Sequence, residues 1–198
     1  MRAFLLIDLQ NDFMPGGALP VTDGDAVITP INARMGDYPL IVATQDWHPE
    51  GHESFASAHP GQAPFATINL HGLPQTLWPD HCIAGSTGAA LHSALDTRRV
   101  AAIFRKGMDK RIDSYSAFFD NGHRHDTGLA AYLRACGVTD IDVAGLAADF
   151  CVYFSILDAL AAGFRVRLLA EATRAIDPQG YAQKQAELLQ LRDRKSVV

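Results

Sequence analysis

The sequence lacks the features of several protein classes. It has no apolar run near the roughly 20 residues that cross a bilayer and no long basic run, so neither a membrane nor nucleic acid is predicted as a partner. Its three cysteines are too few, and odd in number, for a disulfide framework. A reducing cytoplasm is therefore the expected compartment.

What is present is an ordinary globular composition. The 198 residues are 48% hydrophobic and 20% charged, with a formal net charge of −5. Because repeats, low-complexity tracts and linkers are missing, we expect a single domain over residues 1–198. The first residues are interpreted as a buried strand and not a signal peptide, since Asp8 ends a short apolar run and no small-residue cleavage site follows.

Short apolar runs alternate with helical patterns along the chain. The runs suit parallel strands buried on both faces, and the alternation predicts an α/β layered fold with right-handed crossovers. Two long connections, 46–85 and 106–125, are typical of functional loops. The predicted strands are Ala3–Ile7, Leu40–Ala43, Val100–Phe104, Ile141–Ala144 and Val166–Ala170, and the predicted helices are Asp25–Met35, Thr87–Leu95, Asp126–Ala135, Asp149–Ala162 and Pro178 to about Leu191.

Reactive side chains follow four of the predicted strands. Asp8 follows the first strand, Asp46 and His48 the second, Lys106 the third and Cys151 the fourth. An isolated Asp commonly caps a turn, an isolated Lys is usually solvated, and an isolated Cys usually fills the core. Since open parallel sheets bind ligands at the carboxyl ends of their strands, the joint placement of these residues predicts a catalytic site there.

Cys151 is the candidate nucleophile. Residues 142–152 predict a strand, a tight turn and a helix, which places Cys151 at a helix N-terminus, where the dipole lowers a thiol pKa. Backbone N–H groups of the same turn point inward, as an oxyanion requires. Cys136 at another helix end is interpreted as structural, and Cys82 stays ambiguous.

A metal site is the second candidate feature, formed by Asp46, His48, His52 and His81. Asp46 and His48 are two residues apart, so in an extended segment they project to one side and could share an ion, with His81 returning from the long loop. Two imidazoles and a carboxylate suit Zn, Fe or Mn and leave a position open. The alternative is that these loop histidines hydrogen-bond to the backbone.

Five segments, in the order of the family, resemble motifs of the isochorismatase-like cysteine hydrolases. Within that superfamily the chain is similar to the nicotinamidases, also called pyrazinamidases. The resemblance runs from about Ala3 to Asp177, and the tail 192–198 matches none of these motifs. The segments are LIDLQNDF (6–13), TQDWHP (44–49), WPDHC (78–82), FRKG (104–107) and GLAADFCV (145–152).

The resemblance implies a fold and a catalytic triad. The fold is a three-layer, doubly wound, mainly parallel β-sheet flanked by helices. In the triad Asp8 is the general base, Lys106 holds Asp8, and Cys151 forms a thioester. The backbone N–H groups of Ala147 and Cys151 form the oxyanion hole, and the family's cis peptide maps to the bond between Leu146 and Ala147.

The resemblance also implies a metal and a substrate. Asp46, His48 and His81 match the ligands of one divalent metal, which holds the pyridine nitrogen of nicotinamide, and His52 matches a position that ligates in some members only. The implied reaction converts nicotinamide to nicotinate and ammonia in NAD salvage, and the same reaction converts pyrazinamide to pyrazinoate. No nucleotide cofactor is implied. Ala148 departs from the more usual Thr and removes a possible hydroxyl hydrogen bond. The positions that match the substrate pocket are Phe13, Leu19, Trp78, Tyr115 and Phe150.

Three other functions account for part of the sequence. A related amidohydrolase of the same superfamily acts on ureido or carbamoyl substrates, but such members generally lack the metal trio. A phosphoacceptor domain with Asp8 and Lys106 leaves Cys151 and the histidines unexplained, and a catalytically dead binding protein does not fit an intact triad. Beyond a small-molecule amide, the sequence predicts no partner, and monomer and homo-oligomer both stay open.

Overall fold

The computed structural model describes the backbone of residues 1–195 and the side chains of residues 1–190. Residues 196–198, the end of the tail for which the sequence makes no prediction, lie outside the described residues. No helix in the described part of the chain has the length and apolar character of a membrane span. The strands are β1 (Arg2–Ile7), β2 (Leu40–Asp46), β3 (Thr67–Leu70), β4 (Leu73–Thr76), β5 (Val100–Lys106), β6 (Asp140–Gly145) and β7 (Arg165–Thr173), and the α-helices are α1 (Ile28–Arg34), α2 (Leu129–Ala135), α3 (Tyr153–Ala161) and α4 (Pro178–Lys195).

The five predicted strands form one parallel sheet. Its order is β5–β2–β1–β6–β7, and every neighbouring pair in it is parallel. The strand order reverses between β1 and β6, which makes the sheet doubly wound, as the resemblance implied. An open sheet of this kind binds its ligand at the carboxyl ends beside that reversal. Asp8 follows β1 and Cys151 lies beyond β6, so two candidate residues flank this point.

Helices cover both faces of the sheet, which gives three layers. On one face Phe4 and Leu6 of β1 pack in a cluster that includes residues of α1. On the other face Leu5 and Ile7 pack in a cluster with residues of α2 and α3. Because successive side chains of a strand point to opposite faces, a strand between two helical layers is apolar at every position. This explains the unbroken apolar run at the start of the sequence.

All five sheet strands are longer than the sequence predicted, and two of the extensions include candidate site residues. β2 extends to Asp46 and β5 extends to Lys106, and these two residues are partners in the parallel register. The prediction that both follow their strands is therefore wrong by a few residues, because polar side chains continue the ladder past the apolar run. The hydrogen bonds of the sheet therefore fix the backbone of Asp46 and Lys106, which are both candidate site residues.

The predicted helix Thr87–Leu95 is wrong. In the structure this segment lies as turns against the loop after β1, with an isolated bridge between Gln10 and Leu91. Its carbonyl groups accept backbone N–H groups of that loop and are not used in a helix. A Cβ on Gly88 would overlap the carboxylate of Asp12 unless that side chain moved, so glycine suits this close approach.

The long connection after β2 contains a hairpin that the sequence analysis missed. β3 and β4 pair antiparallel through a two-residue turn. Both turn residues, His71 and Gly72, have positive φ (50° and 90°), which is the geometry of a tight hairpin turn. The available signal was the glycine in this turn between two short segments.

The other predicted helices are present with altered ends. α1 continues at both ends into short 3-10 turns. The helix predicted from Asp126 begins only at Leu129, because Gly128 has a φ of 85° and the Asp126 carboxylate accepts its N–H. The last helix begins at Pro178 as predicted, with Asp177 accepting a backbone N–H of its first turn at 3.0 Å.

Candidate active site

Lys106 is the centre of a buried cluster at the carboxyl ends of the strands. Its Nζ lies 2.9 Å from Oδ2 of Asp8 and 2.6 Å from Oδ1 of Asp46. It also lies 3.3 Å from Sγ of Cys151 and donates to the carbonyl oxygen of Ser114 at 2.9 Å. The structure thus brings the three residues of the predicted triad together with one predicted metal ligand, all of them buried.

The charges of this cluster shift the pKa of each member. Burial raises the pKa of Asp8, and the charge of Asp46 adds to the rise, although Lys106 opposes it. Burial would also raise the pKa of Asp46, but Lys106 and His48 outweigh it and hold that pKa well below its usual value. Burial lowers the pKa of Lys106, but the two carboxylates outweigh this effect and raise it well above its usual value. A basic carboxyl therefore lies beside an ionised carboxylate and a charged ammonium.

Thr44 completes the surroundings of Asp8. Its hydroxyl donates to Oδ1 of Asp8 at 2.5 Å, and its Oγ1 accepts the backbone N–H of Asp8 at 3.2 Å. Asp8 itself has a φ of 47°, the left-handed region that non-glycine residues seldom adopt. Thr44 was not among the predicted site residues. Its signal was a hydroxyl directly after the apolar run at the start of β2.

Cys151 lies in a wide helical turn and not at the start of an α-helix. Residues 148–152 form a π-helical turn, and α3 begins at Tyr153. The predicted lowering of the thiol pKa is wrong: burial, with Asp8 and Asp46, raises the pKa of Cys151 well above its usual value, although Lys106 opposes them. A thiol whose pKa is raised needs a base before it can act as a nucleophile. Sγ and a carboxylate oxygen of Asp8 lie within 4.8 Å of each other.

The turn before Cys151 has the backbone that the resemblance implied. The peptide bond between Leu146 and Ala147 is cis. The N–H of Ala147 has no hydrogen-bond partner among the described residues, whereas its carbonyl accepts the N–H groups of Phe150 and Val152, both at 3.1 Å. Ala147 and Cys151 line the same pocket, so an unpaired N–H of Ala147 is suited to stabilise a negative oxygen there.

Asp46, His48 and His81 form a buried cluster of possible metal ligands. One oxygen or nitrogen of each residue lies within 4.8 Å of the others. The Nε2 atoms of His48 and His81 lie 3.7 Å and 3.8 Å from Oδ2 of Asp46. Oδ1 of the same carboxylate faces Lys106, so the two oxygens serve different partners.

The two histidine rings are oriented so that Nε2 stays available. The carbonyl of Gly107 accepts a hydrogen bond from Nδ1 of His48 at 3.0 Å, and the carbonyl of Pro79 accepts one from Nδ1 of His81 at 2.8 Å. This tautomer leaves a lone pair on each Nε2. Nε2 of His48 is buried without a hydrogen-bond partner in the described part of the chain. The donors therefore fit a divalent ion with imidazole and carboxylate ligands.

His52 lies beside this cluster without belonging to it. Its ring centroid is 4.6 Å from that of His48, but both of its ring nitrogens have protein partners. Nε2 donates to the carbonyl of Asp109 at 2.8 Å, and Nδ1 lies 2.8 Å from Oγ of Ser54. As arranged, His52 packs against the ring of His48 and binds no residue of the cluster through its ring nitrogens.

A small pocket opens between Cys151 and the metal-ligand cluster. Phe150 lies in its wall and makes edge contacts with Trp78 and Tyr115, at centroid distances of 4.8 Å and 5.3 Å. Asp113, Ala147 and Ile176 also line it, and of these the sequence analysis assigned only Ala147 to the site. The five predicted pocket residues all line it: Phe13, Leu19, Trp78, Tyr115 and Phe150.

Gln10 and Asp12 support the cluster from the loop after β1. The side-chain amide of Gln10 donates to the carbonyl of Asp46 at 2.8 Å and accepts its N–H at 2.8 Å. The carboxylate of Asp12 accepts the N–H of Cys82, next to His81, at 2.7 Å. Gln10 and Asp12 both lie in the segment LIDLQNDF (6–13), but nothing in the local sequence indicates which backbone groups their side chains bind.

Comparison with known proteins places these features in a family. Residues 2–194 match the family model described as the isochorismatase domain. A nicotinamidase of Escherichia coli (strain K12) is 48% identical over 183 residues, which cover 90% of this chain and 85% of that protein.

Solved structures give the same result. The structure of an Acinetobacter baumanii nicotinamidase/pyrazinamidase superposes with a TM-score of 0.93 at 42% identity, covering 96% of this chain and 92% of that one. The pyrazinamidase of Pyrococcus horikoshii in complex with zinc superposes with a TM-score of 0.79 at 35% identity, covering 96% and 94%.

Proposed function

This chain belongs to the isochorismatase domain family, and we propose that it is a nicotinamidase, as the relatives named above are, which hydrolyses nicotinamide to nicotinate and ammonia in NAD salvage. Pyrazinamide is hydrolysed to pyrazinoate by the same route. One observation carries the proposal: the ammonium of Lys106 contacts a thiol and two carboxylates, and one of these carboxylates also faces two histidines.

In the proposed reaction Asp8 and Cys151 carry out the proton transfers and the attack. Asp8 takes the proton from Sγ of Cys151, and the thiolate attacks the carboxamide carbon. The raised pKa of Asp8 makes its carboxylate a stronger base for a thiol whose own pKa is raised. Asp8 then gives the proton to the leaving nitrogen, the C–N bond breaks, and ammonia departs from the thioester.

The second half of the reaction uses the same groups. Asp8 takes a proton from water, the hydroxide attacks the thioester carbon, and the C–S bond breaks. Nicotinic acid leaves and loses its proton to the solvent to become nicotinate, and the proton on Asp8 returns to Sγ of Cys151. In both halves the N–H groups of Ala147 and Cys151 stabilise the oxygen of the tetrahedral carbon. Lys106 holds the Asp8 carboxylate and the Cys151 thiolate in place through its contacts with both.

A divalent metal is part of the proposed site. Asp46, His48 and His81 would hold it, and zinc, iron and manganese all suit these ligands. When bound, the ion supplies a Lewis-acidic position for a lone pair of the substrate. With both carboxyls ionised, Asp8 and Asp46 share the single charge of Lys106, and this local excess of negative charge favours a cation.

The pocket walls select a flat ring. Phe13, Trp78 and Phe150 place aromatic surface between the thiol and the proposed metal ligands. Aromatic contacts of this kind contribute about 0.5–1.5 kcal/mol each beyond the area that they bury. A small heteroaromatic amide is therefore the class of substrate that the pocket fits.

Ammonia release is the test of this proposal. The purified protein is expected to release ammonia from nicotinamide, to lose this activity with a chelator, and to regain it when a divalent metal is returned. The competing function is that of a related amidohydrolase for ureido or carbamoyl substrates. Release of ammonia from a ureido acid but not from nicotinamide would support it and overturn ours.

A further inference from the structure

The C-terminal helix contacts the turn that carries the proposed nucleophile. Lys184 of α4 donates a hydrogen bond to the backbone carbonyl of Asp149, in the π-helical turn that contains Cys151. Its Nζ also lies 4.5 Å from the centre of the Phe150 ring. This helix lies entirely beyond the recognised segments, so the sequence predicts no role for Lys184.

Hydrogen bonds join α4 and the turn at two places. The Asp149 carboxylate accepts the backbone N–H groups of Ile176 and Asp177, at 3.0 Å and 2.8 Å, directly before α4. Lys184, two turns into the helix, returns to the carbonyl of the same Asp149. The nucleophile turn is thus held at the beginning of the helix and again at Lys184.

Phe150 links Lys184 to the substrate pocket. Its ring lines the pocket, with centroid distances of 4.8 Å to Trp78 and 5.3 Å to Tyr115. The ammonium of Lys184 lies within cation–π distance of Phe150, and also of Tyr153 at 5.2 Å. A cation held on one ring of the pocket wall restricts how that ring can turn.

We propose that Lys184 is a positioning residue for the ring of the substrate: it fixes Phe150 and the Asp149 carbonyl, and so keeps the pocket in the shape that binds a flat amide. This inference rests on the proposed function. Lys184 does not touch the triad or the histidine cluster through any contact of the described residues, so its loss should affect substrate binding more than the chemical step.

The test compares three variants with wild type on nicotinamide. Lys184→Met removes the charge and the donor but keeps an unbranched side chain, and Lys184→Arg restores both. Gln183→Met is the matched control, because Gln183 is exposed on the same helix. KM, kcat and the thermal unfolding midpoint are measured for each, and assays are run well below the lowest midpoint.

We expect Lys184→Met to raise KM about tenfold with kcat within about threefold, since a cation–π contact and a charged hydrogen bond are lost. Lys184→Arg should return KM to within about threefold of wild type, and Gln183→Met should leave it unchanged.

Wild-type KM in Lys184→Met, or equal defects in the Met and Arg variants, would overturn the proposal. If Lys184→Met does not fold, Lys184→Gln, which keeps a donor without the charge, takes its place with the same expectations. Wild-type protein inactive on nicotinamide would instead overturn the proposed function, and this inference with it.

Discussion

Oδ1 of Asp46 lies 2.6 Å from Nζ of Lys106, and Oδ2 of the same carboxylate faces two histidine rings. Because Lys106 also reaches Sγ of Cys151, a single carboxylate joins the proposed nucleophile to the proposed metal ligands. Substitutions on the two sides of Asp46 should therefore separate turnover from metal binding.

Replacing the proposed nucleophile should abolish turnover and leave the fold and the metal content unchanged. Cys151→Ala is expected to lower kcat at least about 10³-fold, because no other group can form the thioester. Metal content and the far-ultraviolet circular dichroism spectrum should match wild type. Cys136→Ala is the control, since Cys136 lies at the end of α2 and should keep full activity. Activity of Cys151→Ala within tenfold of wild type would disprove the assignment.

Replacing a histidine of the cluster should lower metal affinity. His48→Ala and His81→Ala each remove one imidazole whose Nε2 is available, and we expect metal affinity to fall at least about tenfold. His52→Ala is the control, because both ring nitrogens of His52 already have protein partners. Chelator competition measures the affinity directly. A full metal equivalent retained by the His48/His81 double variant would place the metal site elsewhere.

The parts that the sequence predicted are those set by local pattern. Buried parallel strands appear as unbroken apolar runs, so each of the five sheet strands was found, and Asp8 and Cys151 could be placed near their ends. The ligand set Asp46, His48 and His81 came from spacing and from the resemblance. What failed depends on distant contacts: the segment 87–95 satisfies its backbone against the loop after β1, which no local pattern reports.

The electrostatics of the site could not be predicted for the same reason. A helix N-terminus near Cys151 indicated a lowered thiol pKa, but the pKa is raised because burial and two carboxylates from other strands dominate. Thr44, Gln10 and Lys184 act through bonds to residues far along the chain. Their roles appear only when the fold brings the partners together.

A stability network lies at the opposite end of the sheet from the site. The Tyr38 hydroxyl donates to Oδ2 of buried Asp142 at 2.6 Å, and Arg167 also donates to that oxygen. Tyr38→Phe removes a hydrogen bond to a charged group, so we expect the free energy of unfolding to fall by about 1.5 kcal/mol at pH 7. Since Tyr38 precedes β2 and the site lies beyond its other end, kcat/KM should not change. A loss of kcat/KM equal to that in a site variant would contradict this separation.

The hydrogen bond between Tyr38 and Asp142 also predicts how the free energy of unfolding depends on pH in the alkaline range. Burial, with Asp142, raises the pKa of Tyr38 to about 12. A tyrosine in the unfolded chain ionises near pH ~10, so the contribution of Tyr38 is fully present below that pH and is lost as the pH rises through about 12. The difference in unfolding free energy between wild type and Tyr38→Phe should therefore shrink between these values. Urea unfolding at several pH values measures it, and a constant difference would contradict the prediction.

The most direct test of the account is the choice among three amides by the metal-loaded enzyme. Nicotinamide and pyrazinamide each carry a ring nitrogen meta to the carboxamide, whereas benzamide has none. If Asp46, His48 and His81 hold a metal facing the thiol across the pocket, benzamide offers no lone pair to the open coordination position of that metal. Its kcat/KM should therefore be at least about a hundredfold lower than that of nicotinamide. The measurement is kcat/KM from ammonia release for each amide. We predict efficient hydrolysis of nicotinamide and pyrazinamide only, and equal hydrolysis of benzamide would contradict the account.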